Sequence, residues 1–506
     1  MSDGKKVVLF YPYPDPQAFP TYEDVKFWVP LSTMTVGSNL LHQGYEVVLI
    51  DQRMENDPLK RVLAELEGAL CLGVSTITGA SIIEGLKVSE EVKRSHPKTP
   101  IIWGGVHPTL LPEQTVAHPA VDIVARGQGE VTMSELVKTL ATGAHLEQVE
   151  GVTFKREGRV FSTPARPVTD INDFPSLSYS LINVERHMET FSEMLGRRSI
   201  DGRKPKAISY NSSFGCPYNC RFCSEHVMSG GKWFGLRADR VVKEIRHLVE
   251  KYGVEMIVFA DENLFVKPSR VKDICRLLLD QNIEILWAAA SRPDNLARFD
   301  DSDINLLYRG GCRLIFVGAE SGCQKTLDLL NKRMQPEVTE LVTRKFTENN
   351  IAIHLSYMLA VPDEPKESAW QTSRQVNRLA SDNSLVTLVY NYYSPYPGND
   401  LFDRAVELGF TPPQSLEGWA TVVHRNVNLP TVDVALFRKF DLLRFMFTLK
   451  PKPGLRNLLG NMVVLLLRIS ARIRLRLKTF ALPLDLFLMD MVTKKKPGRR
   501  PIAMEE

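Results

Sequence analysis

The sequence predicts an α/β protein of two successive sheets followed by a helical C-terminal extension. Short apolar runs alternate with longer helical patterns between residues 7 and 125, and again between residues 207 and 392. Such runs are typical of parallel strands that are buried on both faces. A chain of 506 residues is long enough for two or three domains with separate cores. We therefore divide it into residues 1–150, 151–206, 207–400 and 401–506.

The first segment is expected to form an open, doubly wound sheet of the Rossmann or flavodoxin-like type. Its strand-like runs are 7–11, 46–51, 69–74, 101–105 and 122–125. Ligands of such sheets bind beyond the carboxyl ends of the strands. Hydroxyl, glycine and other polar residues follow three of these runs: Ser75, Thr76, Thr78, Gly104, Gly105, His107, Gly127, Gln128, Gly129 and Glu130. Glycines would let a backbone approach a bulky ligand closely, although each loop alone also fits an ordinary turn.

The second segment reads as a hairpin and a connector. Residues 151–162 contain two strand-like runs around a turn with Gly158, and residues 164–206 are rich in Pro, Ser and Asp without a sustained period. We expect this stretch to join the two domains.

The third segment predicts a partial (β/α)6 barrel. Strand-like runs at 207–214, 256–260, 285–290, 313–318, 352–359 and 385–392 alternate with helical patterns at 241–252, 270–281, 301–309, 336–349 and 367–380. Chemistry in such barrels gathers at the carboxyl ends of the strands. Polar residues at those ends are Asp261, Glu262, Arg292, Glu320 and Ser321. Ion pairs at the barrel rim are the alternative for Asp261, Glu262 and Arg292.

Three cysteines lie within eight positions of the third segment, as Cys216-x3-Cys220-x2-Cys223. Three thiolates can hold a [4Fe–4S] cluster and leave one iron free to bind another ligand. A structural zinc site would need a fourth ligand, and three close cysteines cannot all form disulfides. Cys71, Cys275, Cys312 and Cys323 lack such spacing and are expected to be buried thiols, although Cys323 follows the 320–322 turn and could face the site.

The cysteine pattern, with Phe222 just before the third cysteine, resembles the radical SAM superfamily. The resemblance implies that the free iron binds S-adenosylmethionine, whose reductive cleavage yields a deoxyadenosyl radical. It also implies S-adenosylmethionine contacts from Phe222, Asp261, Glu262, Arg292, Glu320 and Ser321, of which Glu320 matches best.

The three loops of the first segment resemble the cobalamin-binding domain of class B radical SAM enzymes. The pattern there is a hydroxyl-bearing loop, then G-G-x-H and G-x-G-E, with Gln128 standing where Glu is frequent. Many cobalamin domains carry D-x-H-x-x-G, whose histidine binds cobalt. Residues 11–17 contain no such histidine, and neither His42 nor His107 has that context. We therefore expect no axial histidine from this loop.

The combined resemblance implies methylation of an unactivated carbon in a small-molecule or lipid-like substrate. It implies three cofactors, a [4Fe–4S] cluster, S-adenosylmethionine and cobalamin, and an external electron donor such as flavodoxin or ferredoxin. A ring-forming or cyclase reaction is the alternative within the class. A corrinoid-binding sensor with a structural cluster is the alternative outside it.

Charge is nearly balanced overall, so the composition indicates no nucleic-acid partner, but it is uneven along the chain. Residues 451–506 carry 12 Lys or Arg and 4 Asp or Glu. Their apolar runs and clustered cations suit a helix on an anionic membrane surface, and equally suit a helix packed on the barrel. Residues 414–449 are expected to cover the open side of the barrel. The N-terminus lacks a signal-peptide pattern, which favours the cytoplasm.

Overall fold

The computed structural model describes residues 5–14, 28–195, 200, 202–423, 429–430, 432–450, 458–481, 483–487 and 489. Within these residues the first sheet has seven strands in the order β2-β1-β3-β4-β5-β6-β7. The strands are β1 (Lys6–Tyr11), β2 (Glu46–Asp51), β3 (Ala69–Ser75), β4 (Ile101–Gly104), β5 (Ile123–Ala125), β6 (Val152–Arg156) and β7 (Arg159–Ser162). The first five are parallel, in the 2-1-3-4-5 order of flavodoxin-like sheets. The predicted doubly wound sheet is confirmed.

Helices cover both faces of this sheet because successive strand residues point to opposite sides. Val8 and Phe10 join one buried cluster, whereas Val7 and Leu9 join another. The helices of this part are α1 (Leu31–His42), α2 (Pro58–Glu65), α3 (Ser81–Ser95), α4 (Val106–Leu110), α5 (Pro112–Ala117), α6 (Gly129–Thr142) and α7 (Val184–Leu195). We call the sheet with α1–α6 the first lobe.

The predicted hairpin forms, but it belongs to the first sheet. Strand β6 pairs antiparallel with β5, and β7 pairs antiparallel with β6. The hairpin therefore continues the sheet across residue 150, where we placed the first boundary. The division into four segments remains a prediction.

The second sheet has six parallel strands in the order β15-β14-β13-β12-β11-β8, the arrangement of a partial barrel. Its strands are β8 (Ala207–Tyr210), β11 (Met256–Phe259), β12 (Leu286–Ser291), β13 (Cys312–Glu320), β14 (Ala352–Leu359) and β15 (Val386–Tyr392). The outer helices are α9 (Ala238–Tyr252), α10 (Pro268–Asp280), α11 (Pro293–Leu296), α12 (Asp301–Arg309), α13 (Gln324–Leu329), α14 (Pro336–Glu348) and α15 (Ser368–Ala380). The predicted barrel is confirmed, and we call it the second lobe.

A small ribbon brackets the loop that carries the three cysteines. Strand β9 (Ser213–Gly215) pairs antiparallel with β10 (Trp233–Gly235), and helix α8 (Glu225–Ser229) lies between them. Gly215 has a φ of +83°, and a Cβ there would come within 2.2 Å of the Lys232 carbonyl oxygen. Only glycine fits at this junction, so the loop leaves the sheet at a defined angle.

The C-terminal extension packs on both lobes. Helix α16 (Asp400–Glu407) packs on the first lobe. Leu416 and Trp419, in the segment that follows, are buried in the same core. Helix α17 (Val434–Thr448) packs on α15, and its Arg444 donates to the Leu388 carbonyl of the edge strand β15. The expectation that residues 414–449 all cover the barrel is therefore wrong for the described part of 414–423, because its apolar side chains complete the first lobe instead.

Helix α18 (Leu458–Leu477) follows and packs against α15 and α17. Across the described residues, every helix is too short or too polar to cross a bilayer. The cationic groups at 494–496 and 499–500 lie outside the described residues.

Candidate functional site

A cavity separates the carboxyl edge of the first sheet from the mouth of the second lobe. It has a volume of about 310 Å³ and is partly open to solvent. Its first-lobe wall includes Ser75 and the glycines that follow β4 and β5, and its second-lobe wall includes Ser213, Glu225 and Glu262. This volume lies at the lower end of the range for ligand pockets, so a large ligand would extend through the opening.

Seven of the ten residues that the sequence nominates for cobalamin line this cavity. They are Ser75, Gly104, Gly105, Gly127, Gln128, Gly129 and Glu130. Gly105 has a φ of +96°, and a Cβ there would come within 2.5 Å of the Thr76 carbonyl oxygen. Gly127 has a φ of +72° and faces open space. At these glycines backbone rather than side chains faces the cavity, which lets a bulky planar ligand approach closely.

The other three nominated residues lie behind the wall and brace it. His107 is fully buried, and its Nδ1 lies 3.1 Å from the Thr78 hydroxyl. Burial lowers the pKa of His107 to about 4, so the ring is neutral at pH 7. Thr76 is buried and its backbone N–H donates to the Gly104 carbonyl. These contacts fix the backbone course of the cavity-facing glycines.

His107 is covered from outside by the C-terminal extension. Its ring centroid lies 5.7 Å from that of Trp419, whose indole N–H donates to Gln114 on α5. Gln114 in turn donates to the Pro413 carbonyl. The extension thus holds the G-G-x-H loop in place, a role that local sequence patterns could not reveal.

Gln128 makes a paired contact with the connector. Its side-chain oxygen accepts from the Thr169 N–H, and its amide nitrogen donates to the Thr169 carbonyl. A carboxylate at this position could accept but not donate. The departure from Glu therefore has a structural reason, because this amide side chain joins the cavity wall to the connector.

Helix α1 supplies cavity residues that no motif predicted. Leu31, Ser32, Thr35 and Val36 line the cavity, and the Ser32 hydroxyl lies 3.1 Å from that of Ser75. The helix brings no recognisable spacing to the sequence. Its role depends on a long-range approach to β3. Residues 15–17 of the preceding loop, where we expected no axial histidine, lie outside the described residues.

The three motif cysteines share the loop between β9 and β10. Cys220 is buried, Cys216 and Cys223 are half-buried, and the Cys223 N–H donates to the Cys220 carbonyl. Among the described residues, no three side chains of His, Cys, Asp or Glu are close enough to hold a single metal ion. A [4Fe–4S] cluster does not require that, because each thiolate binds a different iron. The remaining cysteines, Cys71, Cys275, Cys312 and Cys323, are buried and free, as expected.

The protein surroundings alone disfavour thiolates at this loop. Burial raises the pKa of Cys216, and it raises the pKa of Cys223 to about 12. Positive charge is supplied at Cys220, where the Arg292 guanidinium donates to Sγ at 3.1 Å. Thiolate ligands need positive charge nearby. The three cysteines therefore fit a cluster whose iron ions supply most of that positive charge.

Arg292 is tightly held beside the cysteine loop. The residue is buried, its guanidinium lies 4.0 Å from the centre of the Tyr218 ring, and it donates to Asp294 and to the Lys332 carbonyl. It follows β12 as the sequence predicted, but its guanidinium is already engaged by these protein groups. Its assignment as an S-adenosylmethionine contact remains a prediction.

Glu320 forms a buried ion pair with a residue that sequence reasoning missed. Its carboxylate lies 2.8 Å from the Lys332 ammonium, and both side chains are at least nine-tenths buried. The same ammonium lies 5.8 Å from the centre of the Phe222 ring. Lys332 therefore joins three predicted positions, Phe222, Arg292 and Glu320. It sits in an irregular loop after α13, where no periodic pattern marks it.

Asp261 and Ser321 are committed to internal hydrogen bonds. Asp261 is buried and accepts from the Ser212 N–H, the Ser212 hydroxyl and the Ser213 hydroxyl. The Ser321 hydroxyl lies within 3.3 Å of the Ser368 and Thr372 hydroxyls. Asp261 thus orients the strand that leads into the cysteine loop. Direct contact of either side chain with a ligand remains a prediction.

Glu262 faces the cavity together with Glu225, another residue that the motifs did not reveal. Both carboxylates line the second-lobe wall. Glu262 is reached by solvent through the cavity, yet protein surrounds it, so that desolvation and then Asp261 raise its pKa. Burial and the neighbouring Glu262 raise the pKa of Glu225 to about 8. The two walls of the cavity are therefore chemically different.

Comparison with known proteins assigns the two lobes separately. A B12 binding domain model matches residues 25–137, and a Radical SAM superfamily model matches residues 210–376. An uncharacterized methyltransferase of Pyrococcus horikoshii is 27% identical over 376 residues, which are 73% of this chain and 77% of that protein. The anaerobic magnesium-protoporphyrin IX monomethyl ester cyclase of Synechocystis sp. is 26% identical over 328 residues, which are 64% of this chain and 62% of that protein.

A solved structure shares the arrangement of both lobes. The cobalamin-dependent S-adenosylmethionine radical enzyme OxsB, solved with aqua-cobalamin and S-adenosylmethionine bound, superposes with a TM-score of 0.69 at 18% identity. The match covers 97% of this chain and 73% of OxsB. The likeness shows that the two proteins have the same fold.

Proposed function

The chain belongs to the cobalamin-dependent radical SAM enzymes of the methyltransferase family, and from that premise we propose that it methylates an unactivated carbon of a hydrophobic small molecule. Its cofactors are a [4Fe–4S] cluster, S-adenosylmethionine and cobalamin. The observation that supports the proposal best is the single cavity bounded by both lobes. A methyl donor held by the first lobe would face a radical-generating centre held by the second.

The residues of the second lobe would hold the cluster and position its ligand. Cys216, Cys220 and Cys223 would bind three irons, and Arg292 would add positive charge at Cys220. Bound together, the cofactors supply the radical and methyl-transfer chemistry that side chains lack. Glu320 and Lys332 would offer a preorganised pair of opposite charges to the charged methionine end of S-adenosylmethionine.

The residues of the first lobe would hold the corrin by shape. The glycine-lined wall allows close backbone approach, and Leu9, Ile102 and Met133 supply an apolar floor. No acid–base pair is needed to abstract a hydrogen atom from carbon, so the carboxyl groups of Glu225 and Glu262 would serve to orient substrate or ligand. With the cofactors bound, apolar side chains of the first-lobe wall would help to keep water from the reacting groups.

Ring closure is the second candidate reaction, because the Synechocystis relative bears the name of a cyclase. We further propose an external electron donor of the flavodoxin or ferredoxin type. A cytoplasmic location, with contact at the inner membrane face through the C-terminal basic segment, completes the proposal.

Product analysis under anaerobic conditions distinguishes these reactions. The reconstituted protein would be given cobalamin, reductant, methyl-labelled S-adenosylmethionine and a cell extract as the substrate pool. A methylase yields both 5′-deoxyadenosine and S-adenosylhomocysteine and moves label into the organic-soluble fraction. A cyclase yields 5′-deoxyadenosine alone. Absence of both products would overturn the proposal, and Cys220→Ala serves as the negative control.

A further inference from the structure

Helix α18 has two apolar faces, and among the described residues only one of them packs on the rest of the protein. Leu467, Ala471 and Leu475 recur every four residues and enter the large core of the second lobe against α15 and α17. Arg474 on the same side is buried and pairs with Asp485 in the following segment. The helix is therefore anchored in one orientation.

The opposite face of α18 is apolar and exposed. Residues on this face recur at spacings of three and four, which places them along one stripe of the helix. The exposed side chains are Met462, Val463, Leu465, Leu466, Ile469, Ile473 and Leu477. Leu466 is 62% exposed and Leu477 is 64% exposed. From Met462 to Leu477 the stripe runs about 22 Å along the helix.

The segment after α18 extends the same kind of surface. Leu484 is 76% exposed and Phe487 is 61% exposed. Soluble proteins expose single apolar side chains routinely, but a contiguous row of them marks an interaction site.

Cations flank the apolar stripe. Arg472 and Arg476 are exposed on α18, and Lys478 follows at its end. Arg472 lies 3.7 Å from the exposed Asp382 carboxylate, and Lys478 is paired with Glu367. Asp485 is the one acidic side chain among the described residues from 458 onward, and it is taken up by Arg474. The surface is thus apolar along the stripe, and at its edge the three cations Arg472, Arg476 and Lys478 outnumber the two carboxylates Asp382 and Glu367.

We propose that α18 docks in the plane of an anionic lipid bilayer, with the Met462–Leu477 stripe in the acyl boundary and the flanking cations at the headgroups. An exposed apolar face bordered by Arg and Lys is the pattern of an interfacial helix. The helix is not apolar enough to span the bilayer. A second copy of this chain is a poorer occupant, since a twofold contact through the stripe would bring like cations together. The proposal stands on α18 alone and does not depend on the reaction.

Flotation of the full-length protein with lipid vesicles tests the proposal. We expect binding to vesicles that contain phosphatidylglycerol, weaker binding to pure phosphatidylcholine vesicles, and loss of the difference at high salt. The double variant Leu466→Glu/Ile473→Glu should lower the partition coefficient about tenfold or more, because two buried apolar contacts are lost. Arg472→Gln/Arg476→Gln should lower binding to the anionic vesicles only.

A matched control adds the same charges to apolar side chains elsewhere on the surface. Val160 and Leu341 are exposed on β7 and α14. Val160→Glu/Leu341→Glu should bind vesicles like the parent protein, and all variants should keep the parent circular dichroism. Equal flotation of the parent and the Leu466→Glu/Ile473→Glu variant would overturn the proposal. So would a parent protein that ignores vesicles and instead forms a dimer that the same variant dissociates.

Discussion

The two walls of the cavity differ in chemical composition. The first-lobe wall combines glycine backbone and apolar side chains with polar groups such as those of Ser75 and Gln128, and the neutral His107 lies behind it. The second-lobe wall carries the carboxyl groups of Glu225 and Glu262. Arg292, Glu320 and Lys332 make close polar contacts beside the cysteine loop. We therefore expect the first lobe to bind its ligand mainly by shape and the second lobe to bind its ligand mainly by charge. Damage to either wall should therefore produce a distinct defect.

The largest effect should come from breaking the buried ion pair of the second lobe. Lys332→Met leaves the Glu320 carboxylate buried without its partner, which should lower the free energy of unfolding by about 3–5 kcal/mol. Urea denaturation of the parent and variant measures the loss. Adding Glu320→Gln to Lys332→Met should recover part of it. Lys325→Met, at an exposed site on α13, should have little effect. A similar loss of stability in Lys332→Met and in Lys325→Met would contradict a special role for the Glu320–Lys332 ion pair.

The next effect belongs to the brace of the first lobe and depends on pH. The folded-state pKa of His107 is about 4, below the ordinary 6.5, so protonation favours the unfolded chain. The contribution of the neutral His107 ring to the free energy of unfolding is complete above pH 6.5. It is lost as the pH falls toward 4, a loss of about 3 kcal/mol. His107→Gln should remove that part of the acid destabilisation from unfolding curves of the apo-protein. Parallel pH profiles for the two proteins would show that His107 is not held neutral.

A smaller effect should follow from filling the first-lobe wall. Gly104 does not require a positive φ, and a Cβ there meets only ordinary contacts at 3.6 Å or more. Gly104→Leu should fold but obstruct the cavity, which we expect to cost about 1–3 kcal/mol of cobalamin binding, or about tenfold to a hundredfold in Kd. Titration monitored by cobalamin absorbance measures it. Gly460→Leu on α18 is the control, and unchanged affinity in Gly104→Leu would place the corrin elsewhere.

The smallest effect concerns the contact between the cavity wall and the connector. Gln128→Glu removes the donor to the Thr169 carbonyl, and should lower stability at neutral pH by about 1–2 kcal/mol. Because a protonated carboxyl can donate again, the loss should shrink as the pH falls. Gln43→Glu at an exposed site should show neither effect. A pH-independent difference would argue against the lost donor as the cause.

Local sequence patterns predicted those parts of the site whose requirements are local. A turn with positive φ needs glycine at a particular position, and a cluster loop needs closely spaced thiolates, so Gly105 and Cys216 could be found without coordinates. The positions of the strands along the chain followed from their apolar runs for the same reason. Elements such as β13 and β14 were predicted to within two residues of their observed ends.

The parts that were missed depend on contacts between distant segments. Lys332 meets Glu320 across a loop, α1 reaches the cavity by packing against α6 and β2, and Trp419 covers His107 from more than 300 positions away. None of these contacts leaves a period or a spacing in the sequence. Asp261 was assigned by its place after a strand, but its side chain is bound by Ser212 and Ser213, which only the fold reveals.

Pulsed electron paramagnetic resonance on protein loaded with cob(II)alamin and a reduced cluster tests most directly whether both walls serve one site. We expect a magnetic interaction between the two centres that is absent from protein loaded with either centre alone. In Gly104→Leu this interaction should be weaker, because fewer molecules hold cobalamin. Spectra of the doubly loaded protein that equal the sum of the two singly loaded spectra would contradict it.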